Sequence, residues 1–579
     1  MPPSLVVAVV LLAAEHALPP SNASAQGFLH LATGHEPDSG SILRAVRAAQ
    51  SQFERLRFNN LPWSWGSGST ECSEIIGRYC ITLDDADDTW KPPTEPSRVV
   101  RGRDSLILAL DSAALRLPGD KWIAGQRVRY LLEADRSSDA FAAAQACRSD
   151  KWWCTSLAAL VEHRDGRFDK ADSLFTIALR EMPDKEQRSW RDIRILLAGE
   201  DLGIFKQFTP ERQDSLASWL WWLADPLWMR AGNERRTEHY ARYVFDRIYK
   251  DSRTVEGAFW ADDLGELLIR YGPMAGWERV RPSGSAVMRP GVVGHFRPNG
   301  REFFPRARWF LNGTAIGPGE WTLGVERTRT EYMPSYAFSF NPLEFQLAVF
   351  RRGDSAVVVA AYQLPADSTP GSASVESGLI LASDERSTLA VKRESSLGAR
   401  GVLNAVVPAK PAIVSVEALV DSGRRAYRTR FRLSIPQLSA SSLTLSDVLL
   451  FDNAEETNPG ILEEALPRAR GTTGVGPGDR VSLYWEVYGL RGREGALDVE
   501  LALQPQKTRW LRRTAERVRL TKAAQSVRLR WSDQVTGQDV IARSLRLELP
   551  RLPRGSYELR ITVSQGEEQA VTKRSLTVR

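Results

Sequence analysis

Histidine is scarce in this chain, with six in 579 residues. None of His30, His35, His163, His239 and His295, the five beyond residue 25, falls in the two-His helical spacing that holds a metal. Cysteine is limited to four residues, too few for a disulfide-dense scaffold. Long apolar runs are missing too. Leu5 to Ala14 is unbroken for ten residues, half of the roughly 20 that a membrane-crossing helix needs, and no later segment is long enough. No sign of charge dominates, with 77 Lys+Arg against 71 Asp+Glu. The G-x-S-x-G elbow, the Walker loop and H-E-x-x-H are all absent. No catalytic residue, metal ligand or cofactor is therefore nominated, and nucleic acid is not an expected partner.

What is present points to export. The run Leu5–Ala14 leads to Ala23-Ser24-Ala25, a small-x-small cleavage pattern, although Met1 to Ser4 carries no Lys or Arg. The expectation is a signal peptide over 1–25 and a periplasmic or secreted chain, with no transmembrane segment after cleavage. The cysteines form two close pairs, Cys72 with Cys80 and Cys147 with Cys154. Even numbers in local pairs behind an export signal predict two short disulfide loops. Spacings of eight and seven are too wide for the C-x2-4-C of a zinc site.

At this length about three to five domains are expected. Eighteen Trp can fill several cores. Residues 26–104 combine a helical pattern with an irregular segment that holds the first Cys pair. The acidic run Asp84, Asp85, Asp87 and Asp88 lacks the Gly and Glu of an EF-hand and reads as a solvated loop or helix start. Residues 105–200 read as helix after helix. Around the Gly166 turn, Ala171, Phe175, Ala178 and Pro183 match the second half of a tetratricopeptide repeat. Such repeats offer a groove for peptides or proteins. Trp219, Trp221, Trp222 and Trp228 predict a buried helix broken at Pro226, with an aromatic ligand platform or a membrane-facing strip as the alternatives. His239 reads as a capping or paired surface histidine.

The segment from Arg235 to Pro273 resembles the bacterial GWxTD domain. Trp260, Asp263, Gly265, Ile269, Tyr271, Gly272 and Pro273 hold the family's places, while Phe259-Trp260-Ala261-Asp262 replaces Gly-Trp-x-Thr-Asp and Met274 follows the Pro. The resemblance implies a small α+β domain over 201–335, with Leu264–Tyr271 as a strand, Asp263-x-Gly265 turning into it and Gly272-Pro273 ending it. It implies no chemistry. The whole architecture is similar to that of exported proteins from bacteria such as Gemmatimonadota.

From Phe340 the apolar period changes to two, which predicts antiparallel β-sandwiches over 336–436 and 443–579, the second immunoglobulin-like. Six strands are expected in the first, from Gln346–Phe350 to Ala426–Leu433. From Pro505 to Arg579 there are 17 Lys+Arg and 7 Asp+Glu, a local balance of +10 against +6 for the whole chain. The basic face predicts a solvated sheet surface first and an anionic-glycan surface second. Gly474, Gly476 and Gly478 lack a neighbouring Lys and read as turn residues. The fold class expected is thus a multidomain α+β chain: TPR-like helices, a GWxTD-like domain and two sandwiches. The function expected is a non-catalytic protein-binding or scaffolding role in the envelope. The alternatives are a glycan binder through the basic C-terminal domain and a hydrolase with an unrecognised carboxylate site.

Overall fold

The computed structural model describes residues 38–64, 74–81, 91–197, 199–280, 292–296, 299–305, 330–366, 373–420, 424–435, 442–452, 458–506 and 527–579. The signal segment, Cys72 and the run Asp84–Asp88 lie outside them. Helices fill the first half and sheets the second, an α+β chain.

Helices α1 (Ser39–Asn59), α2 (Ser97–Arg116), α3 (Lys121–Glu133), α4 (Ser137–Ala146), α5 (Lys151–Arg164) and α6 (Phe168–Glu181) follow one another, each packed on the next. Then come α7 (Asp184–Arg191), α8 (Gly199–Phe205), α9 (Pro210–Ala224), α10 (Glu234–Tyr249) and α11 (Asp262–Tyr271). Side-chain caps start several of them: Asp120 accepts from the Ile123 amide at 2.9 Å and Asn233 from the Arg236 amide at 2.9 Å. The α5–α6 hairpin turns at Gly166, and Ala171, Phe175 and Ala178 are fully buried. α10 packs against α3, α5 and α6, so one core runs from Val46 to Leu268.

Of the two disulfides expected, the described residues hold one. Cys147 after α4 is bonded to Cys154 in the first turn of α5, with Cα atoms 5.6 Å apart. The bond expected between Cys80 and Cys72 is not among them. Cys72 lies outside the described residues, and Cys80 is described by its backbone alone, in the strand Tyr79–Ile81, where it pairs with Ile75.

The expected strand at Leu264–Tyr271 is a helix. Leu264, Leu267, Leu268 and Tyr271 recur at three and four residues and are all buried, which is helical spacing. Asp262 and Asp263 favour its first turn. Gly272, at φ +86°, ends it where a side chain would be strained and would crowd the Arg242 guanidinium. Asp263 therefore opens a helix, and it receives three hydrogen bonds from Arg78. Arg78 belongs to the small hairpin of β2 (Glu74–Ile76) and β3 (Tyr79–Ile81). After α11 come β4 (Gly276–Val280) and β5 (Val292–His295), which form a three-stranded sheet with β1 (Trp63–Ser64) from far earlier in the chain.

In the β half, β6 (Ser339–Pro342), β9 (Ser374–Ala382), β10 (Thr388–Leu397), β12 (Ala412–Val420) and β13 (Arg425–Leu433) form a sheet in the order β10-β9-β12-β13-β6. It packs on a second sheet of β7 (Glu344–Arg352), β8 (Ser355–Gln363) and β11 (Arg400–Pro408). β11 and β6 were not among the strands expected. Every residue of β12 is buried, which a sheet with one wet face would not give. Val414, Val416, Ala418 and Val420 face the sandwich core. Ile413 and Leu419 face the other way, onto helical and loop residues that include Leu220, Trp221, Leu227 and Met229. The helical layer thus covers the outer face of the five-stranded sheet.

That junction is held by charge. Glu417, fully buried, accepts from the Trp228 and Met229 amides at 3.0 and 2.9 Å. Arg430, also buried, pairs with Glu417 at 3.0 Å and donates to the Leu223 and Asp225 carbonyls at 2.7 and 2.9 Å.

The last part holds β14 (Thr444–Leu445), β15 (Leu449–Phe451), β16 (Gly474–Val475), β17 (Arg480–Tyr488), β18 (Glu494–Pro505), β19 (Val527–Thr536), β20 (Val540–Glu548), β21 (Gly555–Gln565) and β22 (Glu568–Val578). One sheet centres on β17, flanked by β14, β15 and β20, and the other runs β16-β22-β21-β18-β19. The two share a core. The glycine-rich stretch is a turn, with the Gly476 amide donating to Asp479 at 2.6 Å. Phe350 against Tyr484 and Arg352 paired with Glu486 join this unit to the preceding one.

Candidate functional site

The largest concavity among those described is an open cleft of about 850 Å3. α6, the end of α7, α9, α10 and the β9–β10 turn at Ser383–Ser387 wall it. Its size falls in the range of ligand clefts, roughly 300–1,000 Å3.

Local chemistry sets each wall. Thr209 caps α9 and Pro210 occupies its first turn, which brings Arg212 and Asp214 to the cleft. Asn233 starts α10 directly after Gly232. There φ is +86° and an added Cβ would lie 2.4 Å from the Phe168 backbone, so only glycine lets α10 begin against α6. Arg236, in the first turn of α10, donates to both oxygens of Asp172 on α6 at 2.9 and 2.6 Å, and to Glu385 of the β9–β10 turn at 2.9 Å. Burial opposes its charge, but the Asp172 and Glu385 carboxylates hold its pKa above the ordinary value. One guanidinium thereby fastens three walls.

The aromatic floor is ordered in layers. Trp222 stacks on Trp228 at 4.5 Å, and Trp219 tilts against Trp222 at 4.9 Å. Arg430 lies 3.8 Å from the Trp228 ring centre. Trp221 and Trp222 are buried as expected, whereas Trp219 and Trp228 are partly exposed and Trp219 lines the cleft. The helix ends at Ala224, just before Pro226.

Asp384 and Asp172, two of the acids of the cleft, are poorly suited to proton transfer. A general acid needs a raised carboxyl pKa. Asp384 is lowered instead, by the Arg386 amide and the Ser387 hydroxyl. Asp172 is held by Arg236. Burial does raise three carboxyls, Asp225, Asp447 and Glu234, the last to about 8. None of the three lines the cleft.

The family-motif residues play structural parts. Trp260 donates to Asp246 at 2.8 Å. Gly265 lies so close to α10 that a Cβ would sit 2.8 Å from the same carboxylate. Tyr271 donates to Glu74 at 2.9 Å, and Pro273 follows the Gly272 stop. The Arg78 hydrogen bonds keep the Asp263 carboxyl at about 2. His239 is not at the surface. It is fully buried beside Trp221, contacts the Trp190 carbonyl at 3.0 Å, and burial lowers its pKa to about 3. Of the cysteines, Cys147, bonded to Cys154, lines a second, smaller concavity.

Among the described residues, at least six of the ten Lys and Arg from 527 onward are matched. Arg528, Arg530, Arg543, Arg560, Lys573 and Arg579 each face a carboxylate, as on a solvated sheet. No group of three or more His, Cys, Asp or Glu able to hold a metal occurs among the described residues. No helix there is long and apolar enough to cross a membrane.

Neither a protein-family model nor a curated protein matches the chain. Solved structures show distant similarity only. A glycosyl hydrolase family 2 member from Bacteroides cellulosilyticus aligns over 40% of this chain and 29% of its own, at 8% identity and TM-score 0.16. Escherichia coli alpha-2-macroglobulin activated by porcine elastase aligns over 43% and 24%, at 12% identity and TM-score 0.14. Salmonella alpha-2-macroglobulin reacted with methylamine aligns over 46% and 26%, at 7% identity and TM-score 0.19. The chain spans under a third of the length of each.

Proposed function

We propose that this chain is an exported, non-catalytic binding protein of the bacterial envelope. On this reading it is a divergent GWxTD-domain protein with tetratricopeptide-like helices and immunoglobulin-like sandwiches. The observation that carries the binding role is the cleft of about 850 Å3, whose walls are fixed before any ligand arrives by Arg236 and the Trp219–Trp222–Trp228 stack. Preformed walls remove the ordering cost that weakens loop-built sites. The Cys147–Cys154 bond supports an oxidising compartment, and a second bond from Cys80 to Cys72 belongs to the same proposal.

The test is a photo-crosslinking residue placed at Ser215, in the cleft, and separately at Ser575, exposed on β22 of the last unit. Each full-length variant is expressed in the native host and irradiated in the envelope. Reproducible adducts from position 215 and not from 575 are expected. Adducts from 575 alone, or equally from both, would sink the assignment of the cleft.

A further inference from the structure

Resting on that binding role, we infer that the cleft recognises an acidic saccharide, a glycan whose pyranose rings carry carboxylates. The inference begins with which lining groups are still available. Arg236 is already held by Asp172 and Glu385, and Asp384 by backbone and hydroxyl donors. Arg191 at the end of α7, Arg212 on α9 and Arg386 on the β9–β10 turn line the cleft without an ion pair among the described residues. Asp214 is the one lining carboxylate there with neither an ion pair nor a capping hydrogen bond. Three guanidiniums from three separate elements thus remain for a ligand. A guanidinium matches a carboxylate bidentately, which a point charge cannot do.

The second group is Trp219. It is partly exposed, and its ring is braced by Trp222, itself stacked on Trp228. A fixed indole beside polar side chains suits the flat C–H face of a sugar ring. The Ser215 hydroxyl lies on the same walls, as do those of Thr176 and Ser218, which donate to carbonyls one turn back and are left as acceptors. Stacking platform, guanidiniums and hydroxyls together match a ring that bears one carboxylate and several hydroxyls.

Two other ligand chemistries fit worse. A nucleic-acid backbone asks for a strongly positive groove, but the lining holds four Arg against Asp172, Asp214, Asp384 and Glu385. A peptide laid in a groove asks for apolar anchor pockets, and apart from the tryptophans and Tyr240 the apolar lining is Leu179, Leu216 and Ala217.

Isothermal titration calorimetry of the full-length purified chain tests this, with trimers of galacturonate, glucuronate and mannuronate as probes. Their methyl esters keep the rings and remove the charge. At least one acid trimer should bind about tenfold or more tightly than its ester, the difference a charge-assisted hydrogen bond makes. Arg212→Gln and Arg191→Gln, both at exposed positions, should each weaken the acid by about tenfold and leave the ester unchanged. Trp219→Ala should weaken acid and ester alike, and Trp219→Phe should recover part of both. Unchanged thermal unfolding separates these effects from misfolding. Equal binding of acid and ester, binding untouched by all three sites, or no binding of any acid trimer would each overturn the inference. Protein adducts from position 215 combined with no saccharide binding would overturn the ligand class alone and leave the binding role standing.

Discussion

Glu234 begins α10 with 1% of its surface exposed. One carboxyl oxygen accepts the Tyr336 hydroxyl, and the other has no hydrogen-bond partner among the described residues. Burial pushes its pKa up to about 8, against 4.5 for an ordinary glutamate, and Tyr336 and Arg230 only partly counter it. Between those two pH values the folded chain keeps a proton that the unfolded chain has released. Stability therefore falls as pH rises from 4.5 and levels off above about 8. One proton changes the unfolding free energy by about 1.4 kcal/mol per pH unit, so the whole window amounts to at most about 5 kcal/mol. Asp225, raised by burial and by the charge of Glu234, pulls in the same direction. Glu234→Gln keeps the shape and the acceptor for Tyr336 but cannot ionise. Urea unfolding of both proteins, followed by tryptophan fluorescence from pH 5 to 9, gives the difference directly. The variant should gain on the wild type by about 1 kcal/mol per pH unit up to about pH 8, and then hold level. A difference that stays constant across the range would refute the burial of an ionisable group here.

Breaking the Cys147–Cys154 bond with a double Ser substitution should cost about 2–3 kcal/mol in chemical denaturation, from the entropy of so short a loop. Peptide mapping without reduction should recover these two cysteines linked, and Cys80 linked to Cys72; a free thiol at Cys80 would count against the second loop. Arg236→Met leaves Asp172 and Glu385 without their partner, and thermal unfolding should report a loss of about 2–3 kcal/mol. Gly265→Ala forces a methyl against Asp246 and through it the Trp260 hydrogen bond, for a loss of about 1–3 kcal/mol by the same measurement.

Strands were the most legible part of the sequence, because apolar and β-branched runs bounded by turn residues announce them even where both faces are buried. Nine-residue strands such as Ala412–Val420 and Arg425–Leu433 stand within a residue or so of the expected Ala412–Leu419 and Ala426–Leu433. Leu264–Tyr271 went astray because a short apolar run with Ile and Tyr suits a strand as well as a helix. The deciding sign was the spacing of Leu264, Leu267, Leu268 and Tyr271, together with two acids before and a glycine after. His239 was misplaced because its neighbours Arg235, Arg236 and Glu238 look like a wet helix. Arg235 is buried, with Thr330 from far along the chain as its partner, and Glu238 is half-buried between His163 of α5 and Arg242 one turn on. The irregular segment around Cys80 holds a short hairpin, Glu74–Ile76 with Tyr79–Ile81, that three-residue strands are too brief to announce by alternation. The cleft was not legible at all. Its groups run from Asp172 to Arg386, and only the packing of the sheet on α9 and α10 assembles them. Of its lining, only the tryptophans stood out as a candidate platform, in a cluster that is otherwise core.

The Glu417–Arg430 pair bears on how this chain can change over generations. Each residue is completely enclosed, and each contacts backbone from the opposite half of the molecule. Altering one alone would strand a charge in an apolar setting at about 3–5 kcal/mol, enough to unfold many proteins of ordinary stability. The helical layer and the sheet it covers are therefore expected to be inherited together. A gene fusion that exchanged the helical layer would have to supply new backbone partners for Glu417 and Arg430, and one that exchanged the sheet would have to replace the pair itself.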